Sequence, residues 1–228
     1  LGRRLSEGGA REILLLQGAD DPTQPASGQS MAHQVPESSV PLHRHDRTRS
    51  PVVNAGELDG AQVLLNESFA TAEVRCIVSN VAVNPFWGYS GGPSVVLPGL
   101  VSESTVKGCL SSTMKGARLP GVVSGNPAHE ILLRVSEMAR VDFAVHIVEM
   151  PDGRIAGVFA GGFLETFQQA STMAEKLFRP AVQRRAEIVI ASAGGNPWDR
   201  TLFDVCPGAV TAATVSKDRG IMVLVAEC

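Results

Sequence analysis

No stretch of this 228-residue chain approaches the roughly 18–20 consecutive apolar residues of a membrane span. Its polar opening, from Leu1 to Glu12, lacks the apolar block of a signal peptide. Basic residues are not in excess: the net charge is −3 and the pI near 6.0, which excludes a strongly basic nucleic-acid surface. The four cysteines (Cys76, Cys109, Cys206 and Cys228) show no CxxC spacing. Scattered thiols suit a reducing, cytoplasmic compartment better than a disulfide framework or a zinc site. No Ser–His–Asp set, paired-carboxylate motif or nucleotide-binding Walker sequence can be assembled from the spacing. What is present is a 44% hydrophobic composition, enough for a substantial core.

The most informative stretch is Gly88-Tyr89-Ser90-Gly91-Gly92-Pro93-Ser94, running on to Leu97-Pro98-Gly99. A loop so poor in side chains lets backbone amides approach an anion closely. It contains no lysine or arginine to hold charge, and a tight turn between strand and helix explains the glycines equally well.

Around this loop the pattern alternates between strands and helices. Ile13 to Leu16 is a short apolar run closed by Gly18, the signature of a buried strand. Residues 19–62 are rich in Pro, Ser, Gly and charge and read as a long, partly disordered excursion. Val74 to Val83 reads as a strand leading into the glycine loop. Asn126 and Pro127 supply a helix cap and first-turn proline, with Ile131, Val135 and Met138 on one face. Val141, Phe143, Val145 and Ile147 alternate as the apolar face of a strand, and Pro151-Asp152-Gly153 turns it into a partner. A helix bearing Phe167, Ala170, Ala174 and Leu177 follows, stopped by Pro180. Beyond Arg179, Arg184 and Arg185, a strand over 188–191, a helix near 199–215 and a strand over 221–226 form a βαβ unit, the opening of a second α/β domain. The domains are therefore expected at 1–182 and 183–228, with both ends reading as part of a longer protein.

Isolated candidates for chemistry carry bland explanations. His43 and His45, with His33 nearby, have strand-face spacing for a metal, yet no fourth ligand is evident and a solvated loop is the preferred reading. His146 falls on the polar face of its strand and reads as structural. His129 sits in a first helical turn, where capping or exposure accounts for it. Cys109 and Cys206 read as inert packing thiols.

Several separated motifs together resemble the nickel-dependent lactate racemase family. Gly88-Tyr89-Ser90-Gly91-Gly92 with Leu97-Pro98-Gly99 is similar to its G-F-S-G-G…P-G loop. Gly125-Asn126-Pro127-Ala128-His129-Glu130 resembles its G-N-P-x-H-E helix start. Val141-Asp142-Phe143 with Gly157 to Gly161 is similar to its next hairpin. Ser192 to Asp199 and Leu224 to Cys228 resemble the opening of its C-terminal domain. Order and intervals agree along nearly the whole chain.

The resemblance implies an α/β fold: two α/β domains with a cleft between them, the second only partly present here. It implies a nickel pincer nucleotide as cofactor and a small 2-hydroxyacid as substrate, with no nucleic acid or membrane partner. In the family a loop lysine anchors the cofactor, a histidine completes the nickel coordination, and two further histidines exchange the substrate's hydroxyl proton, a task suited to imidazole. Carried onto this chain, Ser90, Gly91 and Gly92 keep the loop. The anchoring lysine falls on Ser94 and the nickel-binding histidine on Leu110, after Thr105-Val106. The acid–base histidines fall on Asn84 and on Asp20, within Gly18-Ala19-Asp20-Asp21-Pro22. The substrate-binding glutamine and lysine fall on Asp204 and Pro207, and the family's upstream aspartate–arginine motif is expected before Leu1, outside this sequence. Serine has no amine, leucine cannot ligate nickel and asparagine cannot shuttle a proton; Cys109, beside Leu110, offers a soft sulfur instead. The expectation is a racemase scaffold with its reaction impaired or lost, or else a non-catalytic phosphate-binding, nucleotide-binding or interaction protein on that scaffold.

Overall fold

In the computed structural model, the described residues are 12–19, 40–111, 113, 119–150, 152–179, 182–196, 199 and 201–228. Two short strands come first, β1 (Leu15–Gln17) and β2 (Leu42–Arg44), paired in parallel. The apolar run at residues 13–16 thus forms a strand displaced toward its C-terminal end and only half-buried.

The expected excursion at 19–62 is corrected over its second half. There β3 (Val52–Leu58) and β4 (Ala61–Asn66) form an antiparallel hairpin. Asp59 and Gly60 make its two-residue turn with φ of 50° and 85°, the conformation an Asp-Gly pair adopts most readily. Leu58, Val63 and Leu65 point inward and are buried. The hairpin is easily missed, because its inward side chains alternate with Gln62 and Leu64 inside a polar neighbourhood.

Helix α1 (Glu67–Ala70) follows, capped by Asn66, and leads to β5 (Cys76–Asn80). The strand expected over 74–83 is therefore shorter, with Val74 exposed. Strands β6 (Val83–Asn84) and β7 (Gly88–Tyr89) form a tight hairpin, and α2 (Pro93–Val96) is a single turn. Helix α3 (Glu103–Leu110) starts at Ser102, whose hydroxyl accepts from the Thr105 amide. Thr105 Oγ1 in turn accepts from the Leu64 amide and donates to the Gln62 carbonyl, each at 2.9 Å, which ties α3 to β4.

Helix α4 (Pro127–Ala139) begins where the Asn126-Pro127 signal puts it. Asn126 Oδ1 accepts from the Ala128 and His129 amides, while its Nδ2 donates to the carbonyls of Phe86 and Val122. The cap therefore also fixes the preceding loop. The buried face is Ala128, Leu132, Val135 and Ala139; Ile131 and Met138 lie at its margin.

Strand β8 (Phe143–Glu149) pairs parallel to β5 and antiparallel to β9 (Ile155–Gly161), giving a mixed sheet in the order β5-β8-β9. Its alternation is as expected, but the inward face is the opposite one. Ala144, His146 and Val148 are wholly buried, whereas Phe143 is 41% exposed. Helix α5 (Phe163–Phe178) covers β8 and β9 with Phe167, Ala170 and Ala174, while Leu177 stays exposed. Pro180, expected to stop this helix, lies outside the described residues.

The last unit is β10 (Ala186–Ser192), α6 (Leu202–Val215) and β11 (Ser216–Val225), with β10 and β11 parallel. This is the expected βαβ arrangement. The open face of its sheet carries Ile188, Ile190, Ile221 and Val223, between 44% and 73% exposed.

Candidate functional site

The glycine loop is a buried structural element. From Gly88 to Leu100 every residue is buried except Val95, which is partly so. Its glycines stand where neighbours leave no room for a side chain. A Cβ on Gly88 would come within 2.3 Å of the Val122 carbonyl oxygen, and one on Gly91 within 2.4 Å of that of Asn80. A Cβ on Gly92 would lie 2.4 Å from the Phe167 ring. All three have positive φ, so both the turn and the packing demand glycine.

The loop's amides are directed into the protein. Ser90 N–H donates to the Ala82 carbonyl, Gly92 N–H to Ser79 Oγ, Ser94 N–H to the Gly91 carbonyl and Val95 N–H to that of Gly92. An anion cradle needs these donors free and convergent. The tight-turn explanation of the glycines is the one this geometry favours. The strand-edge contact of Ala19 N–H with the Gly99 carbonyl, at 2.8 Å, anchors the far end.

The positions expected to carry chemistry are filled by residues with structural tasks. Asn84 is wholly buried, and its Oδ1 accepts from the amides of Phe86 (2.8 Å) and Trp87 (3.2 Å), shaping the turn between β6 and β7. Ser94 is buried in α2 beside Pro93. Leu110, at the end of α3, is 3% exposed and belongs to the main apolar core with Trp87, Leu97 and Leu132. Cys109 is buried beside it; burial, followed by the Asp59 carboxylate, raises its pKa and keeps it a thiol. Asp20 and His33 lie outside the described residues.

Asp204 and Pro207 belong to α6, in the βαβ unit. Asp204 closes the cap of that helix: its Oδ2 accepts from Thr201 Oγ1 at 2.9 Å, and its amide donates back to the same hydroxyl. Pro207 stands inside the helix. Ser90, Gly91, Gly92 and Ser94 are thus brought together in one turn, with Asn84 opposite Gly88 across the β6–β7 pair.

The histidines depart most from expectation. His43 is exposed on β2, but His45 is only 5% exposed and not in a solvated loop. Its Nε2 donates to the Val101 carbonyl at 2.9 Å, leaving Nδ1 to accept from Asn66 Nδ2 at 3.0 Å. His129 is buried, not exposed, and stacks on Phe167. His146 is fully buried on the inward face of β8, bonded to Ser79 and to the Phe163 carbonyl. Burial is the leading cause that lowers the pKa of both His129 and His146. A buried histidine on a strand that otherwise alternates apolar residues is hard to distinguish by sequence from an outward polar one. The signal available was Ser79, at the same strand level on β5.

Among the described residues no group of three or more His, Cys, Asp and Glu side chains converges to hold a metal ion. A surface concavity of about 620 Å³ lies instead between β3 and the C-terminal end of α4, lined by residues including Glu57, Arg75, Arg134 and Arg140. It gathers none of the candidate site residues. No helix among the described residues is long and apolar enough to cross a membrane.

The fold is that of an α/β protein: a mixed sheet with helices packed on it, followed by a parallel βαβ unit. Residues 11–117 match the lactate racemase N-terminal domain. The chain is 26% identical over 175 residues to the lactate racemase of Thermoanaerobacterium thermosaccharolyticum, an alignment covering 74% of this chain and 40% of that protein. It is 26% identical over 181 residues to the lactate racemase of Lactiplantibacillus plantarum, covering 78% and 42%. The structure of the Thermoanaerobacterium lactate racemase apoprotein superposes with a TM-score of 0.77 at 25% identity, covering 84% of this chain and 47% of that one. A Thermotoga maritima protein shares the fold, with a TM-score of 0.66 at 20% identity, covering 87% and 55%. The chain is lactate-racemase-like in sequence and in structure. It spans about two fifths of the length of the curated relatives it matches.

Proposed function

We propose that this chain is a lactate-racemase scaffold without that reaction: it does not interconvert the enantiomers of a 2-hydroxyacid. One observation carries the reading. Asn84, Ser94 and Leu110, where the resemblance calls for a proton-shuttling histidine, an anchoring lysine and a nickel-binding histidine, are all buried. Asn84 spends its carbonyl oxygen on a turn, and Leu110 is core.

The residues present do not fit a nickel pincer nucleotide. There is no amine at Ser94 for a covalent link and no imidazole at Leu110, and the neighbouring Cys109 sulfur is a buried thiol, whereas a metal ligand is a thiolate. No chemical step is therefore routed through that cofactor. The phosphate- or nucleotide-binding reading finds no support in the loop, whose amides bond inward. The interaction reading has the aliphatic faces of β10–β11 in its favour, since contiguous exposed apolar surface marks contact sites.

On this reading residues 183–228 open a second α/β domain, supported by the β10–α6–β11 unit. A cytoplasmic location accords with the free thiols at Cys76, Cys206 and Cys228, all exposed. The test is to incubate the chain with mature nickel pincer cofactor and D-lactate, then to measure bound nickel and L-lactate formed. Neither is expected. Appearance of L-lactate above a cofactor-only control overturns the proposal.

A further inference from the structure

Two buried imidazoles meet on one aromatic ring beneath the glycine loop. Phe167 of α5 lies edge-on to His146 at 5.8 Å and nearly parallel to His129 at 5.9 Å. The same ring closes against Gly92. The polar atoms of the two histidines reach opposite ends of the loop. At one end the Trp87 backbone carbonyl lies within hydrogen-bonding reach of the His129 ring, whose Nδ1 is buried without a partner.

At the other end the bonds form a relay with a direction. A carbonyl only accepts, so His146 Nε2 carries the proton donated to the Phe163 carbonyl at 3.2 Å. His146 Nδ1 is then a lone-pair acceptor for the Ser79 hydroxyl at 2.9 Å. Ser79 Oγ is thereby turned to accept the Gly92 amide at 3.0 Å. Only a neutral His146 sustains this order. An imidazolium donates from both nitrogens; Ser79 Oγ has lone pairs for both that ring and the Gly92 amide, but its own hydrogen loses its acceptor, and the charge itself is left buried.

Among the described residues nothing nearby compensates a charge there. β5 presents Ser79 to His146, β9 presents Phe159 across the strand pair, and α5 presents Phe163 and Phe167. Among the described residues no Asp, Glu, Lys or Arg contributes to the environment that sets its ionisation. Beside His129 the contributing charge is Glu130, exposed on the same helix. A buried imidazolium without a counter-charge is relieved by gaining water, and water reaches it when the packing above it opens.

We propose that His146, assisted by His129, is a proton-sensitive latch on the glycine loop: neutral, it holds residues 87–92 against β5 and α5, and protonation releases the Gly92 end. The latch is independent of any catalytic role and acts on a segment that the resemblance treats only as a cofactor loop.

Amide hydrogen exchange on the whole chain tests it, with the Leu64 amide, bonded to Thr105 in the β4–α3 contact, as internal reference. Between about pH 7.5 and about pH 5.5 the Gly92 protection factor is expected to fall by about tenfold or more, after correction for intrinsic exchange, while that of Leu64 holds. His146→Gln should flatten the Gly92 response. Should that variant not fold, the unchanged protein still decides: the His146 ring resonances and the Gly92 amide must titrate with one midpoint. Ser79→Ala, which keeps the imidazole, should expose the Gly92 amide already at neutral pH. Equal loss of protection at Gly92 and Leu64, or separate midpoints for His146 and Gly92, overturns the latch.

Discussion

Two parallel strand pairs of similar sequence end in opposite environments. β5 and β8 bring Ile77, Ala144, His146 and Val148 to a covered face, all 3% exposed or less. β10 and β11 carry a richer aliphatic set, yet Ile188, Ile190 and Ile221 are each at least 60% exposed. The difference is what packs on them. The inward face of the first pair lies under α5 and the glycine loop, while Val78 and Phe143 on its outer face are 43% and 41% exposed; the isoleucines of the second pair lie on the face that α6 leaves open. β-Branched residues in alternation make a strand in either case, but burial, and with it the greater part of the stabilising free energy, comes from a neighbouring layer.

Truncation is the sharpest way to probe this contrast. Trp87→Ala, at a fully buried site in the main core, should destabilise by about 3–5 kcal/mol, whereas Ile190→Ala, 73% exposed, should cost less than about 0.5 kcal/mol. Urea midpoints measure both; a large loss for Ile190→Ala would show that the open face is covered in solution. Next in size is Gly91→Ala, which forces a methyl against the Asn80 carbonyl at positive φ and should cost roughly 1–3 kcal/mol. A neutral result there would remove the packing account of the loop's glycines.

The pH dependence, which accrues gradually, also separates the two regions. Residues 183–228 contain no histidine. Burial depresses the folded-state pKa values of His129 and His146 below the ordinary imidazole value of about 6.5, so the unfolded chain binds more protons in that range. The stability is fully present above about pH 6.5 and is lost as pH falls, by at most about 1.4 kcal/mol per histidine per pH unit. Chemical denaturation at several pH values should show this slope, and His129→Gln with His146→Gln together should abolish it. A flat profile in the unchanged protein contradicts the buried-imidazole assignment.

Much of the fold was legible in residues with local consequences. Asn126 and Pro127 announced α4 because capping is decided within one helical turn. The Pro151-Asp152-Gly153 turn announced the β8–β9 pair for the same reason, as did the βαβ spacing after residue 186. The hairpin at 52–66 was hidden by its polar surroundings, although Asp59-Gly60 was a sufficient signal. Which face of β8 turns inward was not legible, since Val145 and Ile147 are as apolar as Ala144 and Val148. At Asn84, Ser94 and Leu110 the resemblance suggested family site positions, but the turn, helix and core roles these residues fill were not legible.

The order of elements, the helix caps, the resemblance to lactate racemases and the absence of a lysine from the glycine loop were all readable in the sequence. Each of these is written in neighbouring residues or in motif spacing. Tertiary structure alone decided that the loop's amides turn inward, that His45, His129 and His146 are buried, and that the β10–β11 face is open. These depend on which distant groups supply hydrogen bonds and exclude water, and no local pattern contains that information.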